Sequence, residues 1–506
     1  MANDSYNTSS KGVIAAGRAI TAATSVTVTD TVYQRIYQRV GTSKTVTVSG
    51  TYSGPAQLIQ ARSCPVGTAT NALEATYPWS NLDNGPTGGT FSGSLSVPQG
   101  DNWVVQARCG KNPAVASSGT HAFGVGIFVA MLGQSNMENM FSSIYGWPLG
   151  SPSALVKSAT TGGIIRLGAI KDTYPPSSLS ATYGSWDSPG SASARDHGNG
   201  LVIMANDLVA AFGCPVLMLT YAASGTSSSQ WQPGQTYMAT FLAGLDAVGG
   251  DCEAVIWLQG GNDAASSVSA ATYQGNLQNI FNTIKSHTGR GSSNFHFGVV
   301  VVGPGLTTSG AWGAAWSAEG TLGPIRKGQL DFVAANTANG AFLAGTDIDG
   351  NLAGASPIHI DQASLFRQGR RYTEAIKRRL TGAGNNIEGP RVTGATRSGN
   401  VVTVSIAQAG GTALQDGAGG SGGSLQGFRV FDAGTPVSII ATAIAGNTVQ
   451  LTLASTPTGA VTLDYAMANA PFGSTTSTAA VLYDNQTIPG DSLGLPLQPC
   501  PLITVT

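Results

Sequence analysis

Residues 126–137, GIFVAMLGQSNM, constrain the fold more than any other stretch of the chain. The six residues between Gly126 and Gly133 are all apolar. A run with no polar face reads as a strand buried on both sides, the kind found in parallel sheets covered by helices. It breaks at Gly133-Gln134-Ser135-Asn136 and continues into a helix-like segment. A serine on a tight strand-to-helix turn is lifted off the carboxyl edge of the sheet with its own N–H directed at the cleft, a position that suits a nucleophile. A serine there also serves as an ordinary helix N-cap, so the reading depends on what other strands deliver to the same edge.

The middle of the chain supplies those strands. From about Gly124 to Gly384, the apolar runs GIFVAML, PVLMLTYA, EAVIWLQ, FHFGVVVVG and AFLAGTDI alternate with segments of 3–4 apolar spacing: LVIMANDLVAAF, MATFLAGLDAV, ATYQGNLQNIFNTI, IRKGQLDFVAANT and SLFRQGRRYTEAIKRRL. Such alternation predicts an α/β domain, residues 123–385, with a flavodoxin-like parallel five-stranded sheet and helices on both faces. Ligands bind such sheets at the carboxyl ends of the strands.

The flanks have a different rhythm. After a small, polar arm at 1–24, short runs of period two (SVTVT, KTVTVSG, AQLIQAR, GTFSGSLSV, NWVVQAR) fill 25–122, and similar runs fill 386–506. Both predict all-β sandwich domains, the second expected to serve packing or attachment. Trp79 and Trp103 in the first are expected to be core, with a sugar-stacking platform as the alternative. Only 10% of residues are charged and the net charge is −1, which offers no electrostatic footprint for nucleic acid or anionic lipid. No apolar run approaches the ~18 residues of a membrane span, so neither nucleic acid nor membrane is expected as a partner; oligomeric state is not legible. The N-terminus lacks a charged-then-apolar signal segment, while the composition favours an extracellular, periplasmic or virion-surface setting. The five cysteines (Cys64, Cys109, Cys214, Cys252, Cys500) have no metal-site spacing; Cys64 and Cys109 are expected either to pair or to stay as buried thiols.

The loops after the strands converge on one chemistry. The first gives Gly133-Gln134-Ser135-Asn136, the second Ala223-Ser224-Gly225-Thr226 followed by Trp231, and the third Gly260-Gly261-Asn262-Asp263. Ser356-Pro357-Ile358-His359 stands before the last helix. In this order the blocks resemble those of the SGNH hydrolases, in particular the branch of sialate O-acetylesterases and acetylxylan esterases. GQSNM is similar to that branch's nucleophile block, SGT with Trp231 to its glycine block, GGND with Trp257 and Gln259 to its asparagine block, and His359 to its histidine. LYDN at 482–485 and LGLPL at 493–497 look like segments of the β modules attached to bacterial members.

The resemblance implies a serine esterase that removes O-acetyl groups from a carbohydrate. Ser135 would be the nucleophile and His359 the base. The Ser135 and Gly225 N–H groups and the Asn262 amide would form the oxyanion hole, and Gln134, Gln259, Trp231 and His197 would contact substrate. Two positions depart from the branch. Ser356 stands where an aspartate usually orients the histidine, leaving Ser356 itself or Asp349 for that task, and Gly261 stands where the branch commonly has glutamate. His287 is expected at a helix end and His296 packed within a strand. No nucleotide loop or metal-ligand cluster is present in the pattern, so no cofactor and no metal is expected. The competing reading is a glycan-binding or phage-tail surface attachment protein with a vestigial esterase core.

Overall fold

A computed structural model describes residues 25–29, 36–55, 58–70, 72–110, 112–120, 123–141, 156–158, 199–247, 249–305, 320–353, 358–420, 422–472 and 478–506. The chain forms two compact units, one of 1–33, 41–98 and 102–123, the other of 34–40, 99–101 and 124–506.

The first unit is antiparallel. Ser25–Thr29, Ser43–Ser53 and Thr90–Pro98 make one sheet, and Ser80–Asp83, Ile59–Pro65, Gly100–Cys109 and Asn112–Ser118 pair in another. Period-two burial follows the sequence: Val46 and Val48 are buried while Thr45 and Thr47 are exposed. Cys64 stands opposite Val104 and Cys109 opposite Ile59, and both are buried free thiols. Trp103 is buried edge-to-face on Tyr77. The Trp79 ring is covered by the guanidiniums of Arg62 and Arg108, 4.5 and 4.4 Å from its centroid. These cation–π contacts occupy the surface a sugar would need.

The second unit is built around five parallel strands: β1 (Phe123–Gly133), β2 (Val216–Ala222), β3 (Ala254–Leu258), β4 (His296–Val301) and β5 (Ala341–Thr346). Their order is β2-β1-β3-β4-β5, and Val156–Ser158 adds a short parallel strand outside β2. All eleven residues of β1 are buried. Alternate side chains enter two separate cores. Phe128, Ala130 and Leu132 face α3 (Thr236–Ala247), α5 (Ala270–Thr288) and α6 (Leu322–Asn336). Ile127, Val129 and Met131 face α1 (Ser135–Phe141), α2 (Asn199–Phe212) and α7 (Gln362–Thr381). Each fully buried aliphatic side chain contributes about 1.5–3 kcal/mol, so β1 alone ties both helical layers to the sheet. The helices fall where the apolar spacing places them. Ser269 and Asp361 cap α5 and α7 by accepting from Thr272 N and Ser364 N, and left-handed Gly289 and Gly382 end them.

The C-terminal strands form one four-stranded antiparallel sheet from Arg391–Ser398, Val401–Ala407, Thr448–Leu453 and Ile439–Ala445. A second contains Thr435–Val437, Phe428–Asp432, Val461–Tyr465 and Cys500–Thr504. Their core is shared with the α/β part: Ile348, after β5, sits among Val404, Leu451 and Leu463, while Ile387, Ile488 and Leu495 join the α7 side of the main sheet. Two buried arginines complete the join. Arg371 on α7 donates to Asp349 (3.0 Å) and Asp491 (3.1 Å), and Tyr483 donates to Asp349 (3.1 Å). Arg326 on α6 donates to four carbonyls, those of Val302, Gly303, Ala466 and Ala468, at 2.6–3.0 Å. LYDN and LGLPL act in the same seam, the first through Tyr483 and the second through the Gly494 carbonyl, which accepts from Arg371 Nη2 at 3.2 Å.

Candidate active site

The strand ends set the site. Ala222 of β2 and Leu258 of β3 are both in register with Gly133 of β1, so the three loops that follow leave the sheet at one level. Gly133 has φ +156°, and a Cβ there would lie 2.0 Å from the Leu258 carbonyl oxygen. Only glycine permits β1 to end against β3 and turn directly into α1. Ser135 is the first residue of that helix and is 6% exposed.

Three side chains around Ser135 each fasten a different loop. Gln134 Oε1 accepts from the backbone N–H of Asn262 at 3.2 Å and of Gly260 at 3.4 Å. Asn136 grips the histidine segment at two points: Nδ2 donates to Ile358 O at 3.1 Å, and Oδ1 accepts from Ile360 N at 3.2 Å. These peptide groups flank His359, so the residue after Ser135 holds the His359 backbone on both sides. Glu138 Oε2 accepts from Ser224 Oγ at 2.5 Å, bringing in the glycine loop. The third loop is braced further by Asp263, which accepts from Ser228 N and Oγ at 2.8 and 2.5 Å.

Ser135, His359, Gly225 and Asn262 are thus carried on four segments tied to one helical turn. Gly225 is exposed with φ +72°, a left-handed conformation costly for other residues. Asn262 is half-buried near the start of the short helix α4 (Gly261–Ala265). His359 is half-buried, and burial holds its pKa below the ordinary imidazole value. It is therefore neutral at neutral pH and able to accept a proton.

Several expectations need correction. Trp231 is fully buried, stacked on Tyr237 (centroids 5.5 Å apart), and donates to Thr226 Oγ1 at 3.0 Å; it supports the glycine loop from beneath and does not face a ligand. Gln259, 1% exposed, donates to Thr226 O at 2.9 Å and accepts from Tyr273 OH at 3.0 Å, so it too is a brace. Gln134 spends its carbonyl on the Asn262 loop, as described. Asp349 does not fold in on the histidine. Burial opposes its ionisation, but the Arg371 and Arg367 guanidiniums outweigh this and hold its carboxyl below the usual range. Its charge belongs to the seam with the C-terminal strands. Ser356 and His197 lie outside the described residues. His287 closes α5 and pairs with Asp246 at 2.7 Å; His296 is buried in β4, where burial lowers its pKa to about 4. Glu138 escaped the sequence reading, although its place three residues after Ser135 on one helix face signals proximity.

Comparison with known proteins now identifies the chain. The family model described as "Carbohydrate esterase, sialic acid-specific acetylesterase" matches residues 125–378, half of the sequence. The chain belongs to this esterase family. It is a carboxylic ester hydrolase that removes O-acetyl groups from carbohydrate. No curated protein sequence matches the esterase significantly. Among solved structures, the carbohydrate acetylesterase XAC1771 from Xanthomonas citri superposes with a TM-score of 0.59 at 18% identity, covering 92% of this chain and 96% of that one, which shows a shared fold. A protein from Arabidopsis thaliana (TM-score 0.34, 14% identity, 49% and 96% covered) and a family two carbohydrate esterase from Clostridium thermocellum in complex with cellohexaose (0.31, 16%, 67% and 90%) are more distant.

Proposed function

We propose that the esterase works through a Ser135–His359 dyad in a flavodoxin-like SGNH domain spanning 123–385, flanked by β-sandwich domains at 25–122 and 386–506. Ser135 Oγ attacks the acetyl carbonyl carbon as His359 takes its proton. The resulting oxyanion is met by the Ser135 and Gly225 N–H groups and the Asn262 amide. The tetrahedral centre then collapses, the C–O bond to the sugar breaks, and His359 returns the proton to the departing sugar oxygen. Water, deprotonated by the same imidazole, attacks the acetyl-Ser135 carbonyl, releases acetate and restores the hydroxyl. No metal or cofactor enters this sequence.

The observation that carries the reading is the two-point grip of Asn136 on the peptides around His359. A residue adjacent to the nucleophile has no packing need to bind a segment more than 220 positions away at both its N–H and C=O. The burial that keeps His359 neutral supports the base role. Hydrolysis of p-nitrophenyl acetate by the full chain tests it: Ser135→Ala is expected to lower kcat by at least ~10³-fold with the fold intact by circular dichroism. Activity that survives the substitution refutes the dyad, and a parent that binds acetylated glycans without hydrolysing them supports the attachment reading instead.

A further inference from the structure

The glycine loop is fixed at its two ends and open at its apex. Its entry is fixed where Ala223 N donates to Gly133 O at 3.1 Å. Its exit is fixed where Thr226 Oγ1 donates to Ala223 O at 2.8 Å and accepts from the buried Trp231. Between these points Ser224 and Gly225 are both exposed, and Gly225 has no atom within 4 Å of where a Cβ would be. An unsupported glycine peptide samples many orientations, whereas an oxyanion donor must be aimed before the reaction.

Among the described residues, the one side-chain anchor of this apex is the bond from Ser224 Oγ to Glu138 Oε2. Glu138 is 2% exposed and lies one turn beyond Ser135 on α1. The bond therefore connects the apex to the element that carries the nucleophile. Glu138 Oε2 accepts the Ser224 hydroxyl directly, from a side chain that the helix holds in a buried position. We infer that Glu138 is a positioning residue for the second oxyanion donor: its buried carboxylate, through Ser224, holds the Ser224–Gly225 peptide at a fixed distance from Ser135. The inference rests on the Ser135 mechanism proposed above. Glu138 touches no reacting atom and acts through the loop.

Steady-state kinetics on p-nitrophenyl acetate with the full chain test it, using Ser224→Ala, Glu138→Ala, the double variant and Glu138→Gln. Misplacing one donor costs up to about 100-fold. Each single alanine variant should therefore lose about 10–100-fold in kcat with KM within about twofold of the parent. The double variant should be no slower than the slower single, because both remove one bond. Glu138→Gln, which keeps a carbonyl oxygen, should recover most of the loss. Ser224→Ala changes an exposed side chain and will fold even if Glu138→Ala does not. A kcat for Ser224→Ala within about threefold of the parent overturns the inference, as does additivity in the double variant. Ser135→Ala as control separates the two claims: if it stays active, the dyad and this inference both fall, whereas an inactive Ser135→Ala beside a fully active Ser224→Ala sinks only the positioning role.

Discussion

Replacing Asn136 by alanine removes two hydrogen bonds that cross between segments 222 and 224 residues apart in sequence. Each such bond contributes about 1 kcal/mol net, and a buried donor left unpaired adds about 1–3 kcal/mol. Ile360 is fully buried, so water cannot easily replace the lost acceptor at its N–H. The sum is about 3–5 kcal/mol. Most of it should appear as local loosening of 351–361, since α7 keeps its own cap at Asp361 and its packing on α2. The catalytic consequence is larger than the stability loss suggests: a displacement of His359 by about 1 Å costs roughly 100-fold in rate. Asn136→Ala is thus expected to lower kcat/KM for p-nitrophenyl acetate by about 100-fold, while amides 358–361 gain hydrogen-exchange rate and the sheet amides do not. Asn136→Asp is the sharper probe. It keeps the acceptor for Ile360 N and loses only the donor to Ile358 O, so its loss of rate isolates the Ile358 half of the grip. Asn136→Ala with rate and exchange both close to those of the parent would refute the claim that this side chain holds the histidine.

Two further outcomes follow from buried charge. Burial depresses the His359 pKa, so the base stays competent below its ordinary value and the acid limb of kcat/KM should bend below about pH 6.5; a midpoint above that in the parent contradicts the assignment. Arg326 is fully buried, with burial lowering its pKa to about 9, and it donates to carbonyls on both sides of the seam. Arg326→Ala strands these acceptors and opens a cavity, so it should destabilise by about 3–5 kcal/mol in chemical denaturation. A loss under about 1 kcal/mol would mean that the seam contributes little.

The apolar run at 127–132 and the alternation after it specify a parallel sheet, because only a strand covered on both faces tolerates six consecutive apolar residues, and the alternating helices supply that cover. That the loops carrying Gly133, Ser135, Gly225 and Asn262 leave one edge of that sheet is legible for a related reason: a strand-to-loop break is a local property that a short motif carries intact. The supports are not local. Whether Trp231 and Gln259 face a sugar or the core, whether Asp349 serves the histidine or Arg371, and where the Glu138 carboxylate ends up depend on which distant segment packs against each. Residue type alone leaves those choices open, since a buried amide, indole or carboxylate is stabilised by whatever donor or acceptor the fold brings within about 3 Å. The same holds for the C-terminal strands. Their alternation reads as a self-contained sandwich, yet Ile348, Arg326 and Arg371 share their buried contacts with it. Pairings across 120 residues or more are settled by three-dimensional packing and leave no period in the chain.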